Sequence, residues 1–130
     1  MKITLLGAGA WGTALAIAFA GKHAVTLWSR EADVAAELLA CRENRRFFPG
    51  YRLPDSIAVT TDFAAAAADA DLLVVATPIA GLRPTVEHLK ALGCVTPLLW
   101  VCKGFEAGSG KLPHQVVAEV LGDTARCGAL

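Results

Sequence analysis

The sequence predicts a doubly wound α/β domain, a parallel sheet with helices on both faces. Three observations carry the prediction. Apolar runs at residues 3–6, 24–28, 57–60, 71–76 and 98–102 alternate with helical patterns along the chain. Several runs are continuous in Leu, Ile and Val, as strands buried on both faces are. A glycine-rich turn, Gly7-Ala8-Gly9-Ala10-Trp11-Gly12, joins the first run to the first helical pattern.

Each element follows in order. Ile3 to Leu6 reads as a short buried strand, and Ala10 to Ala20 as a helix with almost no polar face. Ala24 to Trp28 is a second strand, followed by a helix over Glu31 to Ala40. The stretch "CRENRRFFPGYRLPDS" reads as irregular and gathers Arg42, Arg45, Arg46 and Arg52. Ile57 to Thr60 is a modest third strand, after which Asp62 can cap an Ala-rich helix. Asp71 to Ala76 is the clearest buried strand, halted by Thr77-Pro78. Residues 81–92 form a helix that admits Pro84 only in its first turn, where the missing N–H costs nothing. Leu98 to Cys102 is another buried strand, broken at Lys103-Gly104. Leu112 to Leu121 is a helix with Pro113 near its start, and "RCGAL" reads as a strand just beginning.

The totals narrow the function classes. A length of 130 residues accommodates one domain, taken as residues 1–130, and 55% hydrophobic residues with 18% charged exclude disorder. Twelve basic and twelve acidic side chains cancel, so no sequence-wide field favours nucleic acid or an anionic membrane. Any anionic ligand therefore needs a local site. Cys41, Cys94, Cys102 and Cys127 form no CxxC pair, which speaks against a zinc or redox motif and for no metal at all. Cys102, inside an apolar run, reads as a buried free thiol, and such usage fits a reducing, cytoplasmic compartment. The opening "LLGAGAWGTALAIAFAGK" also has the apolar look of a secretory signal. Three glycines make a poor signal helix, however, and a parallel sheet needs this strand and its crossover. No later stretch reaches the roughly 18 apolar residues of a membrane span.

The glycine turn matches GxGxxG, after a strand and opening a helix, which is the setting of the Rossmann dinucleotide fold. Gly7 permits the tight turn, Gly9 lets backbone approach a pyrophosphate, and Gly12 lets the helix pack on the sheet. The helix N-terminus then offers free amides and a positive dipole end to the anion. A purely structural turn is the competing reading. The second strand ends Trp28-Ser29-Arg30-Glu31, the region that reads the cofactor ribose. Arg30 there suits a 2′-phosphate and predicts that NADP(H) is accepted and favoured. Arg30 as a solvated helix-start residue, or Glu31 turned inward to favour NAD, are the alternatives.

The segments "GAGAWGTALA", "LWSRE", "ENRRFFPGYRLP", "TTDFAAAAADADLLVVATP" and "VCKGFE" together resemble the N-terminal domain of bacterial NAD(P)-dependent glycerol-3-phosphate dehydrogenase. They stand in that family's order and spacing, and the Trp in the loop and the Lys-Gly-Phe-Glu segment are more specific than GxGxxG. Two positions depart from the family pattern: Ala10 stands where Ser is usual, and Phe47-Phe48 where Tyr-Leu is usual. The first removes a hydroxyl but leaves the backbone amides. The second removes a phenol contact but keeps the aromatic surface.

The resemblance implies reversible hydride transfer between NAD(P)H and dihydroxyacetone phosphate, giving sn-glycerol 3-phosphate for phospholipid synthesis. It implies cofactor contacts at Gly7, Gly9, Ala10, Trp11, Gly12, Arg30, Phe47 and Lys103, with Lys103 also near the substrate. Lys103 as a solvated loop lysine is the plain alternative, and Thr77-Pro78 shapes the cleft. The family's principal catalytic lysine belongs to a helical C-terminal domain. The expectation is therefore a fragment without that domain and without a catalytic residue of its own; a homodimer of the whole protein stays open. His23, His88 and His114 read as surface residues. Two other readings compete: a related two-domain hydroxy-acid dehydrogenase, and a free-standing NAD(P)-sensing module.

Overall fold

The computed structural model describes residues 1–130. Its main sheet has six strands: β1 (Lys2–Leu6), β2 (Ala24–Trp28), β5 (Ala58–Thr60), β6 (Leu72–Val75), β7 (Leu98–Trp100) and β8 (Cys127–Ala129). They run in the order β5-β2-β1-β6-β7-β8, and every pairing is parallel. The doubly wound expectation therefore holds, including the sixth strand begun at "RCGAL".

Side-chain alternation on the central strands fills two cores at once. Ile3 and Leu5 on β1 and Val74 on β6 point to one side, where Ala16 of α1 (Ala10–Ala20) and Val34 and Leu38 of α2 (Ala32–Cys41) meet them. Leu6, Leu73 and Val75 point to the other, against α3 (Phe63–Ala68), α4 (Ile79–Ala91) and α5 (Pro113–Leu121). Such two-sided burial explains why these strands are continuously apolar. The polar exception on β1 is accommodated too: buried Thr4 donates its hydroxyl to the Ala66 carbonyl at 2.9 Å.

Capping follows the expected chemistry at α3, where the Asp62 carboxylate accepts from the Ala65 amide at 3.1 Å. Pro113 occupies the first residue of α5, where it forfeits no helical bond.

Two expectations need correction. Residues 41–56 are not irregular throughout: β3 (Glu43–Asn44) and β4 (Phe48–Arg52) form a small antiparallel hairpin. The helix expected over residues 81–92 starts earlier, at Ile79, which places Pro84 in the second turn and not the first. There the exposed ring replaces the N–H that would reach the Ala80 carbonyl, so α4 forgoes one helical bond. Beside it, Thr85 Oγ1 donates to the Gly81 carbonyl at 2.7 Å.

Candidate functional site

The strand order reverses at β1: β2 lies on one side, and β6, entered through the next crossovers, on the other. Helices leave the two sides on opposite faces, so a crevice opens at the carboxyl ends of the strands around this point. A cleft of about 600 Å³ occupies it, lined by Gly7 and Gly9 after β1, Arg30 and Glu31 after β2, and Thr77 and Pro78 after β6. Its size lies within the range of small-molecule and cofactor sites.

The three loop glycines have distinct local reasons. Gly7 adopts φ +127°, and a Cβ there would stand 2.9 Å from the Ala76 carbonyl oxygen. Its amide donates to the Trp28 carbonyl at 3.0 Å, which locks the turn to the end of β2. A Cβ on Gly12 would stand only 1.8 Å from the Gly7 carbonyl oxygen, so the helix can follow the turn only with glycine there. Gly9 differs, because a Cβ on it would meet nothing within 4 Å. The protein leaves open space beside Gly9 at the mouth of the cleft, where ligand backbone approach would use it.

Gly9 caps α1 with no side-chain bond, and the first bond back to it comes from Thr13 N to Gly9 O at 3.0 Å. The amides of Ala10, Trp11 and Gly12 therefore carry the unsatisfied positive end of α1. The first turn holds no acidic side chain to compete for them.

Sequence reasoning missed how this loop is held. Asn44 of the hairpin is buried, and its Nδ2 donates to the Ala8 carbonyl and to Thr13 Oγ1, both at 2.8 Å. Its Oδ1 accepts from the Phe47 amide at 3.1 Å. One side chain thus ties glycine loop, first helix and hairpin together. Phe47 is brought to the cleft wall by this tie. Nothing in the local pattern of "CRENRRFFPG" singles out the Asn, because its partners lie 31 and 36 residues away.

An aromatic wall was missed as well. The Phe63 ring stacks on His88 with centroids 4.0 Å apart and meets Trp28 edge-on at 5.0 Å. All three line the cleft. His88 is exposed as expected, yet it faces the cleft and not bulk surface alone. Thr77 also lines the cleft, and its Oγ1 is buried without a hydrogen-bond partner. Cys102 is buried as expected, and burial pushes its thiol up. A protonated thiol there packs and does not react.

The expected site residues divide. Gly7, Gly9, Arg30 and Phe47 line one cleft, and Gly12 is buried under its floor. Ala10 and Trp11 stand outside the lining, with Trp11 68% exposed. Lys103 is exposed at the carboxyl end of β7, on the same edge of the sheet but outside the cleft, and makes no ion pair. The Lys103–Glu106 segment is anchored by its last residue. Glu106 takes Arg83 of α4 in a two-pronged pair at 2.8 and 3.0 Å. No group of His, Cys, Asp and Glu is arranged to hold a metal.

The sequence profile of the family described as NAD-dependent glycerol-3-phosphate dehydrogenase N-terminus matches residues 2–130. The chain belongs to that family. Among glycerol-3-phosphate dehydrogenase relatives, the protein of Dechloromonas aromatica, named for NAD(P)+, is 78% identical over 130 residues. That of Aromatoleum aromaticum is 57% identical over the same length. Both matches cover 100% of this chain and 40% of the relative, so the chain spans well under half the length of these dehydrogenases. The crystal structure of glycerol-3-phosphate dehydrogenase from Coxiella burnetii superposes with a TM-score of 0.85 at 35% identity, over 94% of this chain and 38% of that one. No helix of the chain is long and apolar enough to cross a membrane.

Proposed function

We propose that the chain is the dinucleotide-holding part of a cytoplasmic sn-glycerol-3-phosphate dehydrogenase that favours NADPH over NADH. The observation that carries this reading is the cleft itself. Open space beside Gly9 and unsatisfied amides at the start of α1 stand at one end, and the unpaired guanidinium of Arg30 stands at the other. A glycine turn kept only for its shape has no use for the open space or the uncapped helix.

The residues present fit the cofactor. Backbone amides at Ala10 to Gly12 would hold the pyrophosphate, and Arg30 would take the ribose 2′-phosphate. The rings of Phe47 and His88, the latter backed by Phe63, offer a partly desolvated wall for a ring. When bound, the cofactor supplies the hydride for dihydroxyacetone phosphate. Lys103, exposed on the same sheet edge, would attract the substrate phosphate or polarise its carbonyl. Trp11, exposed at the start of α1, would cover the cofactor from outside the cleft.

The test titrates NADPH and NADH into wild type and Arg30→Ala. One charge-assisted contact is worth about 1.5–3 kcal/mol, or about 10- to 150-fold in affinity. Arg30→Ala is expected to lose at least tenfold for NADPH (about the lower end of that range) and little for NADH. Equal NADPH affinity in the two proteins removes the 2′-phosphate role.

A further inference from the structure

Two charged side chains of opposite sign, Arg30 and Glu31, line the ribose end of the cleft side by side. A carboxylate in this place accepts ribose hydroxyls and repels a 2′-phosphate, whereas a guanidinium attracts the phosphate. Which of them governs depends on what else engages the carboxylate.

Here the hairpin supplies that engagement. Arg46 reaches across to the start of α2 and pairs with Glu31 Oε2 at 3.4 Å and with Asp33 Oδ2 at 3.1 Å. Asp33 registers the contact, since the Arg46 guanidinium is the largest cause holding its carboxyl below the usual range. The reach is pre-set. Asn44, buried two residues before Arg46, fixes the loop through Ala8, Thr13 and the Phe47 amide. The guanidinium also lies 5.9 Å from the Phe47 ring centroid, on the cleft wall. Arg30 has no such partner among the ion pairs of the chain.

We infer that Arg46 is a positioning residue for cofactor choice: by holding the Glu31 carboxylate it leaves Arg30 as the unpaired charge at the ribose corner and favours the phosphorylated dinucleotide. The inference rests on the cofactor reading above and adds to it the residue that decides between two charges. Arg46 acts through Glu31, not by touching the phosphate.

A four-protein cycle tests this. Dissociation constants for NADPH and NADH are measured by quenching of tryptophan fluorescence in wild type, Arg46→Ala, Glu31→Gln and the double variant. Arg46 is half-exposed, so its removal leaves the fold intact, and a general loss of order would weaken both dinucleotides alike. With Glu31 released, the preference for NADPH over NADH is expected to fall about fivefold, the size of one partly screened charge repulsion. Adding Glu31→Gln is expected to restore most of it. A preference unchanged in Arg46→Ala overturns the inference, as does a fallen preference that Glu31→Gln does not restore, which would make Arg46 a direct phosphate ligand. Wild type that binds neither dinucleotide overturns the cofactor reading itself, a result distinguishable from either of these.

Discussion

Gly9 and Gly12 stand three residues apart in one motif, yet opposite physics requires them. At Gly12 the constraint is internal, since a methyl would overlap the Gly7 carbonyl oxygen at 1.8 Å and the turn would have to open. Forcing bulk into a packed site costs about 1–3 kcal/mol. Gly12→Ala should therefore lower the unfolding free energy obtained from urea titration by at least that amount, with weakened dinucleotide binding as a consequence. At Gly9 the protein imposes nothing: φ is −80° and the Cβ position is empty. Gly9→Ala should leave the urea midpoint within error of wild type, or raise it slightly through a stiffer unfolded chain. Its dinucleotide affinity should still fall at least tenfold, because the added methyl occupies the space proposed for the pyrophosphate. A Gly9→Ala protein that binds NADPH normally would show the gap to be incidental. The motif is legible in sequence, but only the folded surroundings separate a glycine needed by the fold from one needed by a ligand.

At the level of elements, the sheet could be read from the chain and the hairpin could not. Strands such as Leu72–Val75 announce themselves because burial on both faces demands an unbroken apolar run. β4 carries Pro49, Gly50 and Arg52 and is largely exposed, so it has no periodic signal. Its position is set by a distant contact, the buried Asn44 amide. The same gap hid the aromatic wall, since Trp28, Phe63 and His88 belong to three elements that only folding brings together. The start of α4 is not legible in the chain, because Pro84 reads as a first-turn residue and stands in the second turn. Asn44→Asp tests the hairpin anchor. The substitution keeps the shape and the acceptor for the Phe47 amide but loses the donor to the Ala8 carbonyl and places a carboxylate oxygen against it. A buried acceptor left without its donor costs about 1–3 kcal/mol. Urea unfolding should show a loss of that size, and dinucleotide affinity should drop with it because the glycine loop is released. Unaltered stability would mean that the loop holds its shape without the hairpin.

Across the whole molecule, the segment bearing Lys103 depends on a charge network that joins three parts of the fold. Arg83 of α4 grips Glu106 in two bonds and reaches Glu119 of α5 at 3.3 Å, while Lys111 also pairs with Glu119. Ser109 adds a hydroxyl donor to Glu106 at 2.5 Å. The Arg83 guanidinium foremost, then the Ser109 hydroxyl, lower the Glu106 carboxyl from near 4.5 to about 2. A carboxyl whose value is depressed by folding binds its proton more readily in the unfolded chain. The stability it contributes is therefore complete above about pH 4.5 and is lost as the pH falls toward 2. Removing the charge should remove that dependence. Glu106→Gln is expected to lie below wild type in thermal midpoint near pH 7, and the two curves should converge as the pH is lowered from 5 to about 2.5. Midpoints followed by circular dichroism across this range decide the matter. A constant gap at every pH would mean that Glu106 acts by packing and not by its charge. Convergence would place the hold on the Lys103–Glu106 segment in the ion pair with α4, so that the sheet edge proposed to meet the substrate is braced from the helix beside the cleft.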